Sequence, residues 1–132
     1  MIKKLALAFG FIFIMVGVLG FVPALAPNGH LLGIFHVNAA HNAVHLLTGL
    51  VALACGMASG HAAQIFFRAF GVIYGLVAIL GFFSGDGPVL GFIANNAADA
   101  WLHVIIAGAS LAIGFGLREA ATELEAHQGQ PT

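Results

Sequence analysis

Residues 5–22 read LALAFGFIFIMVGVLGFV, a run without a single charge. How this run is understood decides whether the chain crosses a membrane three times or four. Lys3 and Lys4 in front of it, and the small-x-small triplet Ala24, Leu25, Ala26 behind it, imitate a cleavable secretory signal. Two features oppose cleavage. The apolar run exceeds the roughly 7 to 15 residues usual in such signals, and Pro27 would stand directly after the cut. A helix rising about 1.5 Å per residue needs roughly 20 residues to cross about 30 Å of hydrocarbon. The run is therefore read as a retained first span, ended by Pro23 and Pro27.

Outward from it, three more runs of similar length follow at about 39–57, 65–83 and 97–117. Of the 132 residues, 61% are hydrophobic and 7% charged, and mean hydropathy is +1.03. A soluble fold of this size could not cover so much apolar surface. The expected class is all-α: a four-helix transmembrane bundle over 1–118 and a short tail over 119–132, beginning as a helix through 119–126. The bilayer is its first partner, and the absence of a basic stripe sets nucleic acid aside. Cys55, the single cysteine, lies in an apolar run and reads as packing. With four crossings, Lys3, Lys4, Arg68 and Arg118 fall on one side, while the connections 23–37 and 84–96 contain no Lys or Arg. By the positive-inside rule both termini and the connection 59–64 face the cytoplasm.

The second run carries Gly33, Asn38, His41 and His45, and at an offset of 58 residues the fourth supplies Gly91, Asn96, Asp99 and His103. The first and third runs correspond at an offset of 61, as in Phe9-Gly10 with Phe70-Gly71 and Leu19-Gly20-Phe21 with Leu80-Gly81-Phe82. Two tandem two-helix repeats, about 5–57 and 65–117, are expected, related by a pseudo-twofold axis along the membrane normal. Small residues four apart predict close helix contacts at Ala52/Gly56, Gly71/Gly75 and Gly108/Ala112/Gly116. Phe, concentrated in the first and third runs, reads as packing or lipid-facing bulk.

At about 100° per residue, Asn38, His41 and His45 share an arc of roughly 60° on one helix face, and Asn96, Asp99 and His103 repeat it. If the two helices face each other, all six side chains converge in the outer half of the membrane, with Asn42 bordering the cluster. Asp99 can pair with His103 one turn on, or reach His41 or His45 across the interface. Ionisable groups inside a membrane helix are costly and turn toward partners or water. Three readings follow. The leading one is interhelical glue in a structural or accessory subunit. A second takes His41, His45, Asp99 and His103 as ligands of a metal, or His45 and His103 as ligands of haem or pigment, with the asparagines behind them. A third is a small-molecule, quinone-like or proton-handling site. The cofactor stays open, and nothing here supplies a nucleophile, base and oxyanion hole.

Other polar residues receive plainer readings. His36 lies opposite that face or in the loop before it, and His30 and His61 are interfacial. Trp101 and Tyr74 serve as anchors or packing groups, Tyr74 toward packing. Thr48 and Ser110 are expected to bond back to their own helix, and Asp86-Gly87-Pro88 marks a turn.

The stretches Asn38-Ala39-Ala40-His41-Asn42-Ala43-Val44-His45 and Asn96-Ala97-Ala98-Asp99-Ala100-Trp101-Leu102-His103 resemble the signature of a bacterial family of small four-helix membrane proteins, the domain-of-unknown-function family 4383. The resemblance extends through Gly33-Ile34-Phe35 and Leu80-Gly81-Phe82. It implies a four-crossing fold in the bacterial inner membrane, with the motif histidines and Asp99 as important positions, and no established activity. Ala100 stands where relatives of that family more often carry a polar residue. A larger membrane complex or a homo-oligomer is the partner such a bundle suits.

Overall fold

The computed structural model describes residues 1–117; the tail helix expected over 119–126 lies outside them. The described residues form α1 (Ile2–Leu19), α2 (Ala39–Ala58), α3 (Gly60–Ser84) and α4 (Ala97–Gly116). Each is long and apolar enough to cross a membrane, and the protein is an all-α, multi-pass membrane bundle. A two-stranded ribbon, β1 (His30–Leu31) against β2 (Phe35–His36), occupies the α1–α2 connection.

Capping chemistry sets the helix ends. The connection expected over 59–64 is reduced to one residue, Ser59, whose N–H closes α2 on the Cys55 carbonyl while its hydroxyl accepts from Ala62 N–H at the start of α3. Hydropathy marks where hydrocarbon begins, not where helical hydrogen bonding begins, so α3 starts five residues before the apolar run. Arg68 consequently sits inside α3. Its Nε donates to the Gly114 carbonyl at 2.7 Å, its guanidinium lies 4.8 Å from the Phe115 ring centre, and Gln64 Nε2 donates to the Leu117 carbonyl at 2.9 Å. Both side chains satisfy carbonyls that the last turn of α4 leaves without helical partners. At the other end α1 stops at Leu19, short of residue 22, because Gly20 lies against the buried Asn42 side chain and Pro23 follows.

α1 packs along α2 and α3 along α4, with the two hairpins meeting through α2–α3 and α1–α3. Glycines set the intimacy of the first two interfaces. A Cβ on Gly10 would lie 2.7 Å from the Gly49 carbonyl oxygen, and one on Gly71 would lie 2.7 Å from Leu111. Gly56 faces Ala6 and Leu7, and Gly114 faces Phe67 and Arg68. The stripe expected at Gly108/Ala112/Gly116 makes no such contact: a Cβ on Gly108 or Gly116 would meet nothing within 4 Å. Four-residue spacing gives the period of a contact face but not its phase, and α4 instead packs on Ala107, Ser110 and Gly114.

The centre of the bundle is an aromatic column. Phe9 stacks on Phe13 at 4.3 Å and meets Phe66 and Phe67 edge-on, while Phe13 meets Tyr74 edge-on at 5.7 Å. Phe67 and Tyr74 are buried, as are the small residues Ala6, Ala52 and Ala63 beside them. Cys55 is half-buried against this core. Other large apolar side chains, among them Phe11, Leu50, Leu76 and Ile105, point outward as a lipid-facing surface. Trp101 is exposed and meets Phe82 edge-on.

Candidate functional site

At the end of the bundle remote from Lys3 and Lys4, both α2 and α4 begin on an asparagine. Asn38 Oδ1 accepts from His41 N–H at 2.9 Å, and Asn96 Oδ1 accepts from Asp99 N–H at 3.0 Å. Each asparagine also reaches across to the other hairpin: Asn38 Nδ2 donates to the Phe92 carbonyl and Asn96 Nδ2 to the Ile34 carbonyl, both at 2.8 Å. The two acceptors sit at the ends of matching turns, in which Leu32-Gly33 and Leu90-Gly91 all adopt positive φ. Ile34 N–H closes one turn on the Leu31 carbonyl and Phe92 N–H closes the other on the Val89 carbonyl, the type I′ geometry of tight hairpins. Asn38 and Asn96 therefore stand at the rim, outside the buried cluster. The 100° rule fails for them because an N-cap residue has extended backbone, here with φ of −143° and −146°.

Asp99 is buried and works on backbone. Its Oδ2 accepts from Asn96 N–H at 2.9 Å, completing a capping box, and from His36 N–H in the opposite hairpin at 3.0 Å. His36 Nδ1 lies 3.3 Å from the Asn95 carbonyl, and its ring stacks on His30 at 4.8 Å. His61 is exposed at the start of α3.

One turn deeper, His41, His45 and His103 come together. One ligand nitrogen from each lies within 4.8 Å of the others, and all three side chains are buried. His41 Nδ1 is 3.0 Å from the His36 carbonyl. A carbonyl only accepts, so Nδ1 carries the proton and the Nε2 lone pair is free. His45 stacks on Phe13 at 5.2 Å, and neither of its nitrogens has a hydrogen-bond partner among the described residues; nor has His103 Nδ1. His103 meets Tyr74 edge-on at 5.5 Å. Asp99 is not part of this nitrogen group, and Asn42 is turned away from it onto Gly20 of α1.

Tyr74, Thr48 and Ser110 take other roles than the sequence reading gave them, and Asn95 escapes it. Tyr74 hydroxyl bonds Thr48 Oγ1 at 3.1 Å across α2 and α3, in place of the backbone bond expected for Thr48. Ser110 Oγ is buried without a partner among the described residues. Asn95, 1% exposed, donates through Nδ2 to the Gly81 and Gly85 carbonyls at 3.1 and 2.7 Å, satisfying the end of α3. The residue 58 positions earlier is Val37, so the spacing shared by the second and fourth runs gave no signal for it.

Fold and composition define a small multi-pass membrane protein. The model of the family described as domain of unknown function (DUF4383) matches residues 3–116, and the chain belongs to that family. No curated protein and no solved structure matches it.

Proposed function

We propose that this protein holds a first-row transition-metal ion of the zinc or copper class between His41, His45 and His103. One observation carries the reading: three buried imidazoles with ligand nitrogens within 4.8 Å, of which His45 has both nitrogens and His103 has Nδ1 without a partner. If the cluster served only as glue, those nitrogens would be bonded, because an unsatisfied buried polar group costs about 1–3 kcal/mol. Glue describes Asn38, Asn96 and Asp99 well. Imidazole suits zinc, copper, iron and nickel. Tetrahedral ligation at about 2.0–2.1 Å puts ligand nitrogens roughly 3.4 Å apart, so from 4.8 Å side-chain rotation has about 1.4 Å to close. The His41 Nδ1 bond to the His36 carbonyl supplies the orienting contact usual behind a metal-bound histidine.

The test is metal analysis of protein purified from its native membrane. About one ion per chain is expected, lost on His45→Ala or His103→Ala and retained in His61→Ala, whose side chain is exposed outside the cluster. Equal metal content in all four proteins would sink the reading.

We further infer that the bundle is a duplicated hairpin, with repeats of about 5–57 and 65–117 and a tail over 119–132. Reciprocal contacts support this. Gly10 against Leu53 corresponds to Gly71 against Leu111, Gly56 against Leu7 to Gly114 against Arg68, and Asn38 to the Phe92 carbonyl to Asn96 to the Ile34 carbonyl. With Lys3, Lys4 and Arg68 at one end, both termini face the cytoplasm of a bacterial inner membrane and the histidines lie in the outer half. An accessory place in a larger membrane complex is the setting we propose, and stable co-purification with a second protein in the same preparation tests it.

A further inference from the structure

The wide lipid-facing seam of the bundle is the cleft between α2 and α3, and it holds a cavity of about 160 Å³. Its walls are apolar: Val44 of α2, Ile73, Val77 and Leu80 of α3, and Val89 and Ile93 of the α3–α4 connection, which roofs it. Val44, Ile73 and Leu80 are each about 40% exposed or more on the lipid-facing surface. The mouth therefore opens sideways into hydrocarbon.

Its inner end is polar. Thr48 and Tyr74 line it together with His41, His45 and His103, and the two hydroxyls share one hydrogen bond. Two hydroxyls joined by one bond leave one hydroxyl hydrogen over, whichever of them donates. Asn95 also lines the cavity, and its buried Oδ1 has no donor among the described residues. The cavity thus offers a donor and an acceptor at the back of an apolar slot. A cavity of about 150 Å³ is large enough to take up benzene, so the space matches one six-membered ring.

A related cavity of about 110 Å³ lies between α4 and α1, lined by Val16, Leu31, Phe35 and Leu102 at positions corresponding to Val77, Val89, Ile93 and Val44. There Phe35 replaces Ile93 and Leu102 replaces Val44, which narrows the slot. Val37 takes the place of Asn95, and Phe13 that of Tyr74, so that side lacks the hydroxyl pair and the amide and presents His41, His45 and Asp99 instead.

We propose that the α2–α3 cleft binds the oxygenated ring of a lipid-soluble molecule of the quinone class, entering from the bilayer. A ring carbonyl accepts the spare hydroxyl hydrogen of the Thr48–Tyr74 pair, and a ring hydroxyl, in the reduced form, donates to Asn95 Oδ1. The hydrophobic tail leaves past Val44 and Ile73. An acyl chain would fill the slot but leave both polar groups unpaired. The inference goes beyond the metal reading: His41, His45 and His103 also line the cavity, but the ring is held by the hydroxyl pair and by Asn95.

The test is calorimetric titration of decylubiquinone into the purified protein in phosphatidylcholine nanodiscs. Saturable binding of about one ring per chain is expected. Ile73→Trp, which fills the mouth, weakens binding by at least about tenfold, and the double variant Thr48→Val/Tyr74→Phe, which leaves no hydroxyl hydrogen, weakens it by about fivefold, the size of one lost hydrogen bond. Val72→Trp, its neighbour on the outer surface, leaves binding unchanged. Binding that is non-saturable, equal in all variants, or displaced as readily by decane as by the ring overturns the proposal, the last outcome meaning an acyl chain only. Metal content measured on the same samples separates the two readings: ring binding without an ion refutes the metal centre alone, and an ion without ring binding refutes the cleft site alone.

Discussion

Asp99→Ala is expected to lower the stability of the bundle by about 3–6 kcal/mol, since the Asp99 carboxylate accepts two backbone hydrogen bonds and bonds to charged groups are each worth about 1.5–3 kcal/mol. The two donors, Asn96 N–H and His36 N–H, belong to different hairpins. Losing the carboxylate frays the start of α4 and releases β2 from it at once. Asp99→Asn keeps one carbonyl oxygen as a neutral acceptor and should recover roughly half of the loss. Denaturant titration in detergent, followed by circular dichroism, reads both variants. An Asp99→Ala protein that unfolds like the parent but has lost its metal would show that the carboxylate serves the ion and not the backbone.

The second large effect concerns the α1–α2 interface. Gly49→Val should destabilise by about 3 kcal/mol, at the upper end of the usual range for overpacking. A Cβ at Gly49 would lie 2.7 Å from the Gly10 carbonyl oxygen and 2.8 Å from Ile14 N. Both are backbone atoms, so no rotamer change relieves the overlap and the helices must separate. Gly108→Ala is expected to act with the opposite sign. Nothing lies within 4 Å of a Cβ there, and replacing glycine in a helix by alanine stabilises by up to about 1 kcal/mol. Two glycine substitutions shifting the unfolding transition in the same direction would contradict the assignment of packed and outward faces.

That contrast also shows where sequence reading reached its limit. Four spans were legible because hydrocarbon thickness fixes the length of an apolar run, and the polar spacing located the centre because helical periodicity turns spacing into a shared face. His41, His45 and His103 duly meet. The same periodicity misplaced Asn38 and Asn96, since it assumes helical backbone at positions where the chain is still extended. It could not tell which of the small-residue stripes on α4 faces a neighbour, because that depends on the bulk presented by α3. The aromatic column was hidden for a related reason: in a membrane bundle, phenylalanine is equally at home against lipid and against protein. Contacts such as Asp99 to His36 and Asn95 to Gly85 join a side chain to distant backbone, and no pattern of residue types encodes a backbone partner.

The crossed asparagine contacts bear on the order in which the molecule is made. Asn38 finds its carbonyl acceptor 54 residues further along the chain, at Phe92. At about 5–20 residues per second of synthesis, α2 therefore waits on the order of 3 to 11 s after its own translation before its N-terminal end can be completed. During that interval the first hairpin leaves this amide to water at the rim of the bundle. The crossed contacts between the two hairpins are thus a product of late assembly. A nascent chain stalled between the hairpins would carry that amide as a mark of incompleteness, open to whatever surveys the membrane for unfinished proteins.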